Sequence, residues 1–167
     1  MADLTLTDLT ATTKTTIRAA DGTGAASALG LPFGSAARTE NGDLVVHIRP
    51  DEWLILGSAA TVDALDLSGF VSRIDTTHSR LLFRLTGAEA ARVMEKVCSL
   101  DFADHMTPDG ACAGASVAKV TCDIVRDDVS FGDAAGTRSY LILADTSYRD
   151  YLRGALDDAM TEFHRVR

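Results

Sequence analysis

The sequence predicts an α+β fold, a largely antiparallel sheet with helices on one face. Three observations carry this reading. Leu81, Phe83 and Leu85 alternate with Leu82 and Arg84, the period of two of a half-buried strand. Directly after them Ala90, Val93, Met94, Val97 and Cys98 recur at helical spacing, with Arg92, Glu95 and Lys96 on the other face. From this strand onward the order reads strand, helix, strand, strand, helix, which fits helices segregated to one face of an antiparallel sheet.

Taken in order, residues 3–17 are rich in threonine, with apolar Leu4, Leu6, Leu9 and Ile17, and suit an edge strand or an extended arm. Residues 19–34 hold many small residues and Pro32, and read as a loop with at most one helical turn. A hairpin follows: residues 35–39 lead into Glu40-Asn41-Gly42-Asp43, a strong turn signal. Its return strand places Leu44, Val46 and Ile48 on one face, Val45, His47 and Arg49 on the other, and Pro50 ends it. Trp53 to Leu56 is an apolar run suited to a buried strand, residues 60–67 suit a short helix, and residues 70–74 return as a strand. Thr86, three residues before Glu89, spells a capping box for the central helix. Residues 105–110 form a loop containing Pro108. Residues 116–125 alternate as a single strand, and residues 138–144 are apolar enough for a central one. Ser147, with Asp150 three residues on, opens a last helix whose apolar stripe is Tyr148, Tyr151, Leu152, Ala155, Leu156, Ala159, Met160 and Phe163.

At 167 residues one domain is expected. We divide it into an N-terminal arm and loop, 1–34, and a single α+β domain, 35–167; two packed lobes within that domain would meet near 70–75. Hydrophobic residues make up 46%, enough for a sizeable core. A net charge of −8 opposes binding to nucleic acid or to an anionic membrane surface. No apolar run approaches the roughly 20 residues that span a bilayer, and Met1-Ala2-Asp3-Leu4 begins no signal peptide, so a cytoplasmic location is expected. Three widely spaced cysteines fit reduced thiols.

The residues gather no reactive constellation in sequence. Gly22-Thr23-Gly24-Ala25-Ala26-Ser27 only faintly resembles a dinucleotide loop, because Gly30 and Pro32 cut short the helix it needs. His47, His78, His105 and His164 stand at no metal-ligand spacing with one another or with cysteine, and His105 with Cys98 makes two ligands at most. Cys98 and Cys122 read as buried small hydrophobes, and Cys112 lies nearer a loop. Asp75, His78 and Ser79 contain the residue types of a hydrolase triad without its nucleophile elbow. Trp53, the only tryptophan, is either a core anchor or an exposed partner-binding anchor, and Tyr148 and Tyr151 read as core.

Several segments together resemble the gamma subunit of heterotetrameric sarcosine oxidase: Leu31-Pro32-Phe33-Gly34, Arg49-Pro50-Asp51-Glu52-Trp53-Leu54-Ile55-Leu56, Asp75 through Arg80 leading to Leu85-Thr86-Gly87-Ala88-Glu89-Ala90-Ala91, Leu100-Asp101-Phe102, Ser139-Tyr140-Leu141-Ile142-Leu143, and the helix after Ser147. They cover most of the chain from about residue 30 onward. The resemblance implies the folate-binding fold of the glycine-cleavage aminomethyltransferase (T protein). It implies a non-catalytic assembly subunit of a complex that oxidatively demethylates sarcosine to glycine. The partners implied are alpha, beta and delta subunits. The large ones carry FAD, FMN, NAD and a tetrahydrofolate site, the small delta subunit resembles a zinc-binding protein, and this chain has no catalytic, cofactor or metal residue of its own. The rival reading is a stand-alone folate-binding aminomethyltransferase-like domain. A subunit without a site must act through contacts, so an exposed apolar patch is expected around Trp53 or the Gly22–Gly34 loop.

Overall fold

A computed structural model describes residues 3–164, of which His164 is described by its backbone alone. The elements run β1 (Thr5–Asp8), β2 (Lys14–Ala19), α1 (Gly24–Leu29), β3 (Ala36–Arg38), β4 (Leu44–Arg49), β5 (Glu52–Leu56), α2 (Ala60–Asp63), β6 (Val71–Asp75), β7 (Arg80–Thr86), α3 (Ala90–Val97), β8 (Cys112–Val117), β9 (Val120–Arg126), β10 (Ser139–Asp145) and α4 (Arg149–His164). The fold is α+β and antiparallel throughout, with two five-stranded sheets in place of one. One has the order β1-β7-β10-β9-β8, the other β3-β4-β5-β2-β6.

The two sheets pack face to face, and each carries helices on its outer face. Alternation along β7 shows why. Leu81, Phe83 and Leu85 point outward, into a cluster with Val93 and Met94 of α3 and Leu152 and Leu156 of α4. Leu82 points inward, against Leu44, Val46, Leu54 and Leu56 of the other sheet and Val125, Leu141 and Leu143 of its own. So the strand that reads as half-buried is buried on both faces. On the outside of the second sheet Ile17, Val45, Trp53 and Ile55 pack against Ala25 and Leu29 of α1 and Val62 of α2.

The sheets are stitched at one edge. The Ser35↔Ala111 bridge joins the start of β3 to the start of β8, with Ala36 N–H donating to the Gly110 carbonyl at 2.7 Å and Cys112 N–H to the Gly34 carbonyl at 2.8 Å. That leaves β1 and β6 as the open edges. Arg126 ties the loop after α3 to the first sheet, donating to Asp104, Asp128 and the Thr107 carbonyl.

Six local expectations are corrected. Residues 1–34 are no separate arm: β1 forms an edge of the first sheet, and β2 lies between β5 and β6 inside the second. Residues 24–29 form a six-residue helix, α1, with Thr23 as its N-cap and Gly30 as its left-handed C-cap. Thr86 caps nothing. It ends β7, its hydroxyl sits 3.0 Å from Ser139 Oγ, and Glu89 pairs with Arg92. Gly87 behind it is at φ +144°, with the Leu4 backbone where a side chain would stand. The last helix is entered through a 3-10 turn, and Asp145, not Ser147, accepts from the chain there. Tyr148 and Tyr151 are exposed, the latter's hydroxyl donating to the Ala118 carbonyl.

The sixth correction concerns residues 116–125, which are not one strand. β8 and β9 form a tight hairpin that turns at Ala118 and Lys119, both in the left-handed region at φ +46° and +71°. Ala-Lys carries no turn signal, and the alternation runs through it unbroken. The turn is held from outside: Ala118 N–H donates to the Val97 carbonyl, and Tyr151 holds the Ala118 carbonyl. A left-handed residue with a Cβ costs about 1–2 kcal/mol, against roughly 0.5–1 kcal/mol of backbone entropy for glycine. Lys119→Gly is therefore expected to raise stability by about 0.5 kcal/mol or more, whereas Lys119→Val lowers it; equal urea midpoints for the two variants would contradict this turn.

Candidate functional site

The inner faces of the two sheets are not apolar to their ends. β7 brings Arg80, Leu82 and Arg84 to the inner face in alternation, and β9 brings Asp123 and Val125, with Asp127 next in the same register. At one end Arg80 donates to Asp123 at 2.6 Å, and Arg49, from the other sheet, stands 3.7 Å from the same carboxylate. At the other end Asp127 Oδ2 accepts from both Arg84 and Arg38, the second again from the opposite sheet. Arg84 also donates to the Asp127 carbonyl and to Ser139 Oγ. Two Arg–Asp–Arg clusters thus bracket the aliphatic layer between the sheets.

Beyond the first cluster the sheets part, and an open cleft of about 450 Å³ lies between them. Thr16 and Arg18 of β2, Ile74 of β6, Thr76, Ser79, Arg80, Arg49, Glu52 and Asp145 line it. Its cations are committed. Arg49 donates to Glu52 at 2.9 Å, and Arg18 donates to Asp51 at 3.1 Å with Glu52 at 3.7 Å. Lys14, two residues before Thr16 on β2, is fully buried and donates to the carbonyls of Thr10 at 2.7 Å and Thr12 at 2.8 Å. Burial, and then repulsion from Arg80, pull its pKa down from the usual lysine value. Ser79 donates to the Thr76 carbonyl, and Asp75 accepts from Thr77 N–H, so neither is presented as a nucleophile and base pair with the exposed His78.

The residues singled out from sequence are dispersed. Trp53, the partner-binding candidate, is a core residue at 3% exposure. It lies on the outer face of β5 beneath α1 and α2, its ring stacked on His47 at 4.2 Å between centroids. It cannot touch a partner without unfolding that face. His47 is fixed by the carbonyls of Leu31 at 2.7 Å and Pro50 at 3.2 Å. Cys98 and Cys122 are buried, Cys112 half-buried, and none is paired with another. Burial pushes the thiols of Cys112 and Cys122 up to about 12 and about 11, well away from reactive thiolate. No group of three or more metal-ligating side chains occurs among the described residues, and none of the described helices is long and apolar enough to cross a membrane. The most exposed large apolar side chains are Phe70, Phe131, Phe33 and Met106, with Ile74 less so; none lies around Trp53, whereas Phe33 belongs to the Gly22–Gly34 stretch. Sequence reading missed the Arg–Asp–Arg clusters, although Arg84 and Asp123 had left a trace as charges interrupting apolar strands.

The architecture is that of an α+β protein with two antiparallel sheets packed face to face and helices outside both. The same fold occurs in a chain of the heterotetrameric sarcosine oxidase of Corynebacterium sp. U-96, in a structure with pyrrole 2-carboxylate. The TM-score is 0.80 and the identity 25%, over 98% of this chain and 87% of that one. The chain resembles this sarcosine oxidase chain over nearly its whole length. No family model and no curated protein matches the sequence.

Removing one partner from a buried ion cluster strands the others, which costs far more than losing an exposed pair. Asp127→Asn, which leaves Arg84 and Arg38 without their carboxylate, is expected to destabilise by about 2–3 kcal/mol. Asp51→Asn, at the exposed Arg18 pair, stays within about 0.5 kcal/mol. Denaturant unfolding with the two effects equal would remove the clusters from the account.

Proposed function

We propose that this chain is a gamma-type subunit of a heterotetrameric sarcosine-oxidase-like enzyme, working through contacts with alpha, beta and delta subunits in a cytoplasmic complex that oxidatively demethylates sarcosine to glycine. The observation that carries this is the near full-length fold match to a chain of such an enzyme. The chemistry of the interior agrees with an assembly role. A flavin or a reduced folate needs a roomy pocket with a flat apolar or aromatic face for its rings. The layer between the sheets is filled by Leu44, Val46, Leu54, Leu56, Leu82, Val125, Leu141 and Leu143. The cleft beyond it is lined by hydroxyls and paired charges, without an aromatic side chain. Neither the layer nor this cleft offers such a face, and in this reading FAD, FMN, NAD and tetrahydrofolate are held by the partner subunits.

The test is co-purification. The tagged chain, expressed with the alpha, beta and delta subunits of a sarcosine oxidase, is expected to be recovered in a stoichiometric complex with them and to bind no tetrahydrofolate alone. A chain that ignores those subunits ends the subunit reading. Micromolar tetrahydrofolate binding by the isolated chain would favour the stand-alone aminomethyltransferase-like domain.

A further inference from the structure

β6 is an open edge whose main chain is ready to pair. It bonds to β2 on one side only. Thr76 N–H donates to the Lys14 carbonyl and Ala20 N–H to the Phe70 carbonyl, so residues 70, 72, 74 and 76 turn their main-chain groups toward β2. By the same alternation Val71, Arg73 and Asp75 turn theirs outward. Val71 N–H is taken by the Gly69 carbonyl; the N–H and carbonyl groups of Arg73 and Asp75 have no main-chain partner among the described residues. At the ends of this stretch Phe70 is 90% exposed and Ile74 45%. A row of outward N–H and C=O groups accepts one kind of occupant, another extended backbone.

We propose that the occupant is a second copy of this chain, its β6 running antiparallel about a two-fold axis at Ile74. Only outward residues can exchange main-chain hydrogen bonds, so odd-numbered residues must face odd-numbered ones, and few registers qualify. An axis at Arg73 sets that guanidinium against its own copy, and an axis at Asp75 does the same to two carboxylates. The axis at Ile74 sets Arg73 opposite Asp75 of the second copy, and Asp75 opposite its Arg73. Each of these pairs exchanges two main-chain hydrogen bonds and brings opposite charges together on the same face. Arg73 keeps Asp63 of its own α2 at 2.9 Å on that face. On the other face Ile74 meets Ile74. The second sheets of two molecules thereby become one continuous sheet. This inference is independent of the subunit reading, since it concerns the chain without other subunits.

The test is sedimentation of the full-length chain from micromolar to submillimolar concentration, with four variants. Wild type is expected to dimerise reversibly. Arg73→Asp and Asp75→Arg each set like charges opposite one another twice and weaken the dimer by about tenfold or more. The double variant Arg73→Asp/Asp75→Arg restores the complementarity and recovers wild-type affinity to within about threefold. Ile74→Cys sits in a non-hydrogen-bonded pair, where Cα atoms about 4.5 Å apart allow a disulfide. It is expected to yield, on mild oxidation, a dimer that reductant dissolves, absent from wild type treated alike. A wild type monomeric throughout, a folded double variant that fails to recover, or no cross-link at residue 74 each overturns the proposal; the first result would leave the edge to a strand of another polypeptide.

Discussion

Everything in this structure hangs on one layer of aliphatic side chains, the contact between the inner faces of the two sheets. Leu44, Val46, Ile48, Leu54 and Leu56 come from one sheet, Leu82, Val125, Leu141 and Leu143 from the other. Each such side chain gains about 1.5–3 kcal/mol on burial, so the layer as a whole outweighs any polar contact in the molecule. The Arg–Asp–Arg clusters at its ends act differently. A partly buried ion pair gives back much of its Coulomb energy as desolvation, so their net contribution is small, while their geometry is demanding. Arg80–Asp123–Arg49 and Arg84–Asp127–Arg38 each span both sheets. They fix how the sheets lie on each other, and the aliphatic layer holds them there.

With inner faces covering each other and outer faces covered by helices, little apolar surface remains for partners. What remains is at the margins: the open edges β1 and β6, the cleft where the sheets part, and single exposed side chains such as Phe70 and Phe131. The cations of the cleft are neutralised from within, and burial pushes the thiols of Cys112 and Cys122 up, away from thiolate.

Much of this was legible in the sequence, for identifiable reasons. Asn41-Gly42 marks the β3–β4 turn because Gly42 takes φ +82° without strain, and the period-3.6 stripe of α3 is long enough to stand out. The division into two sheets was visible only as an alternative, two packed lobes meeting near 70–75, and their face-to-face packing was not legible. Leu82 and Arg84 look like the solvent side of a strand, and only a second sheet, formed by residues remote in sequence, buries them. The Ala118-Lys119 turn was hidden because tertiary contacts from Val97 and Tyr151 hold it where turn residues are missing. Thr86 and Ser147 carried the spelling of capping boxes, yet a strand pairing claims the first and Asp145 precedes the second. Trp53 could be read as core or interface; a neighbour contributed by α1, a segment taken for loop, decides it.

If the inner layer makes the two sheets one body, they must open together. Native-state hydrogen exchange measures this directly, through the amides of Leu54 and Ile55 in the centre of one sheet and of Leu141 and Ile142 in the centre of the other. The expected result is opening free energies for all four within about 1 kcal/mol of each other and of the global unfolding free energy. Amides of the second sheet that exchange through an opening several kcal/mol below that of the first would show two independently stable halves, and would contradict the account.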